Sequence, residues 1–227
     1  MISTDLCCGF ERYTLVVGRL ARLAGREGKR VLTLPASPSI RAASSQSNCK
    51  LLSRDSIFWI SGKPGSGKSA IMKYIAQSLG SGEIPLGDAA EPLIVLRFSF
   101  YYDGDEVQKS TKGLLYTLLN QCLETYRDLA GLIIPIYNMC EGKWSANRLL
   151  RALDMVLLQH DVRFRLLLIL DALDECSGPP TALIELIDHI IDSSRRGAIN
   201  VKICLFSRPC NVFEDAFRLY LIFEVHK

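Results

Sequence analysis

The sequence has no apolar run long enough to cross a membrane and few residues of the kinds that bind structural metals. Its longest apolar stretch, LLLILDAL at residues 166–173, is interrupted by Asp171 and falls far short of the roughly 20 residues that a membrane helix needs. Only three histidines occur, and the eight cysteines include no CxxC pair. We therefore expect neither a zinc site nor a disulfide framework, but free thiols in a cytoplasmic protein without membrane contact.

Charge divides the chain into two regions. Residues 1–54 contain nine Lys and Arg against three Asp and Glu, whereas the remainder is mildly acidic. Residues 31–54 are rich in serine and contain two prolines, so we predict a poorly ordered basic segment and linker over 1–54 and one folded domain over 55–227. An Arg-rich transit segment over 13–30 is a weaker alternative. Nucleic-acid binding is not favoured, because few aromatic residues interleave with the basic ones.

Short apolar runs alternate with segments of helical periodicity from residue 55 onward. Strands and helices in alternation predict a parallel β-sheet covered on both faces, a three-layer α/β fold, with the loops after the strands along one edge. The predicted strands are residues 56–61, 93–101, 164–170, 201–206 and 219–225. The predicted helices are 68–79, one from Ser110, one from Ser145, one after Pro180, and 212–217.

A glycine-rich segment separates the first predicted strand from the first helix, and it matches the pattern G-x-x-x-x-G-K-[ST] at every fixed position. Glycines let the backbone approach an anion, and successive amides with a helix N-terminus can hold phosphate oxygens. Lys68 is expected at the β- and γ-phosphates of a nucleotide, and the Ser69 hydroxyl at Mg²⁺. The predicted phosphate cradle comprises Gly62, Lys63, Pro64, Gly65, Ser66, Gly67, Lys68 and Ser69.

Two further loops carry charged residues directly after predicted strands. Asp171, Asp174 and Glu175 follow the third strand, where three carboxylates are unfavourable unless a cation offsets them. We predict Asp171 as a Mg²⁺ ligand and Glu175, or Asp174, as the acceptor of a proton from the attacking water. Arg208 follows the fourth strand and is predicted to contact the γ-phosphate.

With these elements in order, the chain resembles the NACHT domains of the STAND branch of P-loop NTPases, and most of all the fungal group with a nephrocystin-3-like N-terminal domain. The resemblance covers roughly residues 55–225 and is carried by FWISGKPGSGKSAIMKYI, FSFYYDGDEVQKSTKGLLYTLLNQCL, LLLILDALDEC and ICLFSRP. It implies the strand order 5-1-4-3-2, Asp171 as the Walker B ligand of Mg²⁺, Asp174 and Glu175 as the acidic pair used in hydrolysis, and Arg208 as the sensor 1 arginine.

The resemblance also implies a biological role. Its members are nucleotide-dependent switches that self-associate in NOD-like signalling, in fungi linked to non-self recognition and cell death. Longer relatives continue into helical, winged-helix and repeat regions, which we expect to be missing from this chain.

Three functional interpretations compete. One is a switch module that binds ATP or GTP with Mg²⁺ and hydrolyses it slowly; another is a non-catalytic nucleotide-binding or interaction remnant. A metabolic kinase would need an arginine-rich lid segment, which the sequence lacks. A Ras-type GTPase would carry N-K-x-D, which is also missing, but this leaves the choice between ATP and GTP open.

Overall fold

A computed structural model describes residues 56–80, 91–140 and 143–225 of the chain. The predictions made for residues 1–54 lie outside the described residues. Within the described ranges, no helix combines the length and the apolar character that crossing a membrane requires.

The described residues form a five-stranded sheet in which all neighbouring strands are parallel and the order is β2-β3-β4-β1-β5. Read from the other edge, this is the predicted order 5-1-4-3-2, so that prediction is confirmed. The strands are β1 Ile57–Gly62, β2 Leu93–Ser99, β3 Arg165–Asp171, β4 Asn200–Ser207 and β5 Leu221–Val225.

Seven α-helices lie in the described parts of the chain. They are α1 Lys68–Gly80, α2 Glu106–Lys109, α3 Thr111–Thr125, α4 Ala130–Cys140, α5 Ala146–Leu158, α6 Pro180–Arg196 and α7 Asn211–Phe217. The predicted helix starts at Ser110 and Ser145 are confirmed, because the hydroxyl of each serine accepts a hydrogen bond from the backbone three residues on.

Four local predictions differ from the structure. The last strand begins at Leu221 rather than at Leu219, because the Tyr220 N–H donates to the Phe217 carbonyl in the turn after α7. The second strand ends at Ser99 rather than at Tyr101, because the Tyr101 N–H donates to the carbonyl of Gln108 and the chain turns into α2. Helices α2 and α4 were not predicted. Helix α2 is too short to show periodicity, and α4 is apolar along most of its length, so it shows no contrast between a buried and an exposed face.

The hydrophobic core lies in two layers, one on each face of the sheet. Alternate residues of β1 divide between them: Ile57 and Trp59 join the larger cluster, whereas Phe58 and Ile60 join the smaller one. The larger cluster is packed against α3, α5 and α6, and the smaller against α1. Strands buried on both faces confirm the predicted three-layer α/β architecture.

The sheet order also determines where the functional loops meet. Strands β3, β4 and β1 are consecutive neighbours, and parallel strands end at the same edge. The three segments that follow these strands therefore lie side by side. They are residues 63–67, 172–176 and 208–210, and the first is separated from the second by roughly a hundred residues of sequence.

Candidate functional site

The glycine-rich segment links β1 to α1 through a tightly folded loop. Gly65 and Gly67 have φ angles of 71° and 91°, in the left-handed region that favours glycine. At Gly62 the constraint is space, since a Cβ there would lie 2.7 Å from Ser66 Oγ and 2.9 Å from the Val225 carbonyl oxygen. Three of the predicted cradle positions thus require glycine for stated geometric reasons.

Lys68 closes this loop from the first turn of α1. Its Nζ donates hydrogen bonds to the carbonyl oxygens of Gly62 at 2.5 Å and Lys63 at 2.9 Å. Burial lowers the pKa of the Lys68 ammonium; the carboxylates of Asp174 and Asp171 act in the opposite direction, and the Arg208 charge adds to the lowering. The ammonium therefore lies inside the loop and within the electrostatic reach of all three predicted site residues.

Ser66 supplies a direct test of whether the loop fits a phosphate. Its hydroxyl oxygen is buried and is the one such side-chain polar atom, among the described residues, without a hydrogen-bond partner. Buried hydroxyls are usually satisfied, so this orphan shows that the ligand-free loop leaves a polar group unpaired, while the positive φ angles of Gly65 and Gly67 and the Lys68 ammonium provide the features that bind phosphate. The cradle residues therefore fit a phosphate group.

Asp171 and Ser69 form the predicted metal-binding pair. Asp171 ends β3, is 6% exposed, and accepts hydrogen bonds from the Ser69 hydroxyl and, at 2.9 Å, from the Ala172 N–H. Burial raises the pKa of the Asp171 carboxyl, while the bonds from Ser69 and Ala172 and the charge of Lys68 lower it. One carboxylate and one hydroxyl beside a phosphate cradle are oxygen donors of the kind that Mg²⁺ takes, so these residues fit the metal.

The acidic pair contacts Arg208 directly. The Arg208 N–H donates to Asp174 Oδ1 at 2.9 Å, and its Nε lies 3.2 Å from Asp174 Oδ2. Its Nη2 lies 3.6 Å from Glu175 Oε1. The structure thus brings together the predicted base, its acidic neighbour and the predicted phosphate-sensing arginine at the edge that also carries Lys68.

Ala172 explains how the acidic loop turns. It is the one described non-glycine residue with a positive φ, 55°, and it reverses the chain between β3 and a 3₁₀ turn at Leu173–Glu175. A small side chain suits this left-handed position, which disfavours bulky residues. The turn directs Asp174 and Glu175 back towards β4 and Arg208.

Sequence reasoning missed two supporting contacts. The Tyr102 N–H donates to Glu175 Oε2 at 3.2 Å, and the buried Trp59 Nε1 donates to Ser207 Oγ at 2.9 Å, beside Arg208. Tyr102 lies in FSFYYDGDEVQKSTKGLLYTLLNQCL, the block to which no local role had been given. The sequence contained a signal for the Tyr102 contact, because this block includes the end of β2, and the carboxyl end of β2 lies beside that of β3.

The thiols of the described residues do not join this site as ligands. Cys122, Cys176, Cys204 and Cys210 are free, as predicted for these positions. No group of three or more His, Cys, Asp or Glu side chains that could hold a metal ion occurs in the ranges that the structure describes.

The sheet order, the glycine-rich loop between β1 and α1, and Asp171 at the end of β3 define an α/β fold of the P-loop NTPase type. The chain belongs to the family described as nephrocystin 3, N-terminal, whose model matches residues 40–208, about three-quarters of the sequence. A comparison with the curated proteins found no match.

Among solved structures, the chain is similar to one in the structure of Drosophila ORC bound to DNA, with a TM-score of 0.45 and 12% sequence identity. That match covers 91% of this chain and 54% of the other. A chain of C. elegans PCH-2 matches with a TM-score of 0.42 and 13% identity, over 100% of this chain and 44% of that one. The present chain spans about half the length of these solved chains.

Proposed function

We propose that the chain binds a nucleoside triphosphate, ATP or GTP, together with Mg²⁺, and hydrolyses it slowly. The observation that carries this proposal is the meeting of Lys68, Ser69 and Asp171 around a loop whose buried Ser66 hydroxyl has no partner within the described residues. The nephrocystin-3 family membership supports the same function.

Each residue has a defined part in the proposed reaction. The backbone N–H groups of the loop, of which Pro64 contributes none, and the Lys68 ammonium bind the phosphates, and Ser69 with Asp171 would hold Mg²⁺. Bound Mg²⁺ would neutralise charge on the phosphate oxygens. Glu175 accepts a proton from the attacking water, whose oxygen bonds to the γ-phosphorus as the bond to the bridging oxygen breaks. The products are a nucleoside diphosphate and inorganic phosphate.

Arg208 completes the proposed site. Its side chain is 53% exposed, and its guanidinium carries donors that can reach beyond its contact with Asp174, so it can bind a γ-phosphate oxygen. We propose that the loss of this contact after hydrolysis is what distinguishes the diphosphate state. The role of a NACHT-type switch in NOD-like signalling, with self-association, is supported by the sequence resemblance and stays a proposal.

Binding is tested by titrating the protein with fluorescent ATP and GTP analogues in the presence of Mg²⁺. Lys68→Ala should abolish binding, since the ammonium supplies the charge inside the loop. Lys73→Ala is the matched control, because it removes an exposed lysine from the same helix. Unchanged affinity in Lys68→Ala would contradict the proposal.

Hydrolysis is tested separately by steady-state phosphate release. Glu175→Gln should lower the rate by about 10²–10⁴-fold, the usual contribution of a positioned acid or base. Binding that persists with equal release rates in both proteins would leave a nucleotide-binding module without turnover, the alternative interpretation of the sequence.

A further inference from the structure

The two carboxylates of the acidic pair have different partners. Both oxygens of Asp174 are used by Arg208: Oδ1 accepts the backbone N–H at 2.9 Å, and Oδ2 lies 3.2 Å from Nε. Glu175 is held less closely by that arginine, with 3.6 Å between Oε1 and Nη2, and its other oxygen accepts the Tyr102 N–H. The two neighbouring carboxylates thus differ in how closely Arg208 binds them.

The contact with Asp174 restricts the direction of the Arg208 side chain. One carboxylate that binds both the backbone N–H and Nε of the same arginine ties the two ends of its aliphatic part together. The terminal Nη groups lie beyond this tie and keep donors available. Asp174 is also well buried, with a side chain 17% exposed against 53% for Arg208, which favours a fixed anchor over a mobile one.

The sheet register places the anchored arginine close to the phosphate cradle. Strand β4 pairs with β1 so that Ser207, just before Arg208, lies opposite Ser61, just before the cradle. Burial is the largest cause of the lowered pKa of Lys68, but the carboxylate of Asp174 and the charge of Arg208 also act on it, in opposite directions. Both members of the pair are therefore near the ammonium that would bind the β- and γ-phosphates.

We infer that Asp174 is a positioning residue that aims Arg208 at the γ-phosphate, and that Glu175 alone accepts the proton from water. This inference rests on the proposed function of the same site. It divides the acidic pair in two: Asp174 governs the discrimination between triphosphate and diphosphate, whereas Glu175 governs the rate of hydrolysis.

The test compares dissociation constants for a non-hydrolysable triphosphate analogue and for the diphosphate, with adenosine and guanosine forms and Mg²⁺ present. Asp174→Asn and Arg208→Gln should each reduce the preference for triphosphate about tenfold, the loss expected for one hydrogen bond between charged groups. Diphosphate affinity should stay the same. The double variant should lose no more than either single variant, because both act through one contact.

Two controls separate positioning from a general structural effect. Asp192→Asn also removes a carboxylate that pairs with an arginine, but on the exposed face of α6, and it should leave the preference unchanged. Arg208→Lys keeps the charge and the backbone N–H but loses Nε, the side-chain donor to Asp174, so it should lose the preference even if Asp174→Asn fails to fold.

Wild-type preference in a folded Asp174→Asn protein would overturn the inference, and so would a loss of phosphate release equal to that of Glu175→Gln. A wild-type protein that binds diphosphate without preferring triphosphate would overturn it as well, while the cradle remained a nucleotide site. If the wild type binds neither nucleotide, the proposed function itself fails.

Discussion

At the scale of single residues, the site contains charges that are costly in the absence of a ligand. Burial raises the pKa of the Asp171 carboxyl and lowers that of the Lys68 ammonium, so for both groups the folded state disfavours the charged form. A phosphate and a divalent cation would relieve these two costs together. The residues that would bind the ligand therefore lower the stability of the domain when the ligand is absent.

Replacing Asp171 by asparagine should raise the melting temperature of the ligand-free protein at neutral pH. The folded state binds the Asp171 proton more tightly than the unfolded state, so the stability linked to this group is present at low pH and is lost as the pH rises through the folded pKa. The asparagine side chain would carry no charge at any pH. The gain over wild type should therefore be largest above that pKa and should disappear in acid.

Differential scanning calorimetry across pH, with and without nucleotide and Mg²⁺, checks this prediction. Asp192→Asn serves as the comparison, because it neutralises an exposed carboxylate and should give no such pH-dependent gain. Adding nucleotide and Mg²⁺ should reverse the order, since Asp171→Asn lacks the carboxylate that would hold the metal. A lower melting temperature for ligand-free Asp171→Asn at neutral pH would contradict the explanation.

At the scale of elements, the parts of the site that the sequence predicted are those built from fixed local patterns. The loop before Lys68, the strand that ends in Asp171 and the strand before Arg208 each combine an apolar run with a characteristic residue at its end. The residue pairing between Asp174 and Arg208 could not be predicted in the same way. It depends on the left-handed turn at Ala172 and on the pairing of β3 with β4.

Helix α2 shows why a contact can be hidden in a sequence. Its four residues are stabilised by a capping box, in which the Asp105 side chain accepts from the backbone of Gln108 and the Gln108 side chain accepts from the backbone of Asp105. The D-x-x-Q pattern was visible, but the position of α2 against the acidic loop was not. That position depends on the Ser177 N–H, which donates to the Lys109 carbonyl at 2.6 Å.

Two glycine-to-alanine substitutions in neighbouring helices should have opposite effects on stability. At Gly113 in α3 an added Cβ would lie 1.7 Å from the carbonyl oxygen of Val107, so α2 must move, at a cost of about 1–3 kcal/mol. At Gly131 in α4 a Cβ would meet nothing within 4 Å. Gly131→Ala should therefore stabilise the protein by about 0.5–1 kcal/mol through helix propensity.

Urea unfolding of the two variants measures both effects against wild type. The pair is matched, since each variant adds one methyl group to a helix and only the surroundings differ. Equal unfolding free energies for the two variants would show that the close approach of α2 to α3 is not maintained in solution.

At the scale of the whole molecule, the two tryptophans report on distant parts of one core. Trp59 extends from β1 into the larger cluster on one face of the sheet, and Trp144 packs against the same cluster. Trp144 also lines an apolar cavity of about 250 Å³ between α3, α4 and α5, together with Tyr137. A shared cluster predicts that the sheet and this helical layer unfold together.

Urea denaturation should therefore give coincident midpoints for far-ultraviolet circular dichroism and for the fluorescence of Trp144→Phe, in which only Trp59 emits. Trp59→Phe should lower the unfolding free energy by about 1–3 kcal/mol, because the buried Ser207 hydroxyl loses its donor. Its fluorescence and circular dichroism midpoints should still coincide. Separate midpoints would show that the layer formed by α3, α4 and α5 unfolds as an independent unit.

The hydrogen bond between Trp59 and Ser207 also has a consequence for synthesis on the ribosome. Its partners are 148 positions apart in the chain, and among the strands that the structure describes β1 pairs with β4 and β5. At translation rates of about 5–20 residues per second, β1 emerges roughly 7–30 s before β4, the first of its two partner strands. For that interval the apolar segment IFWISG can pack against α1 but has no strand to pair with, so its backbone N–H and C=O groups stay open to a chaperone.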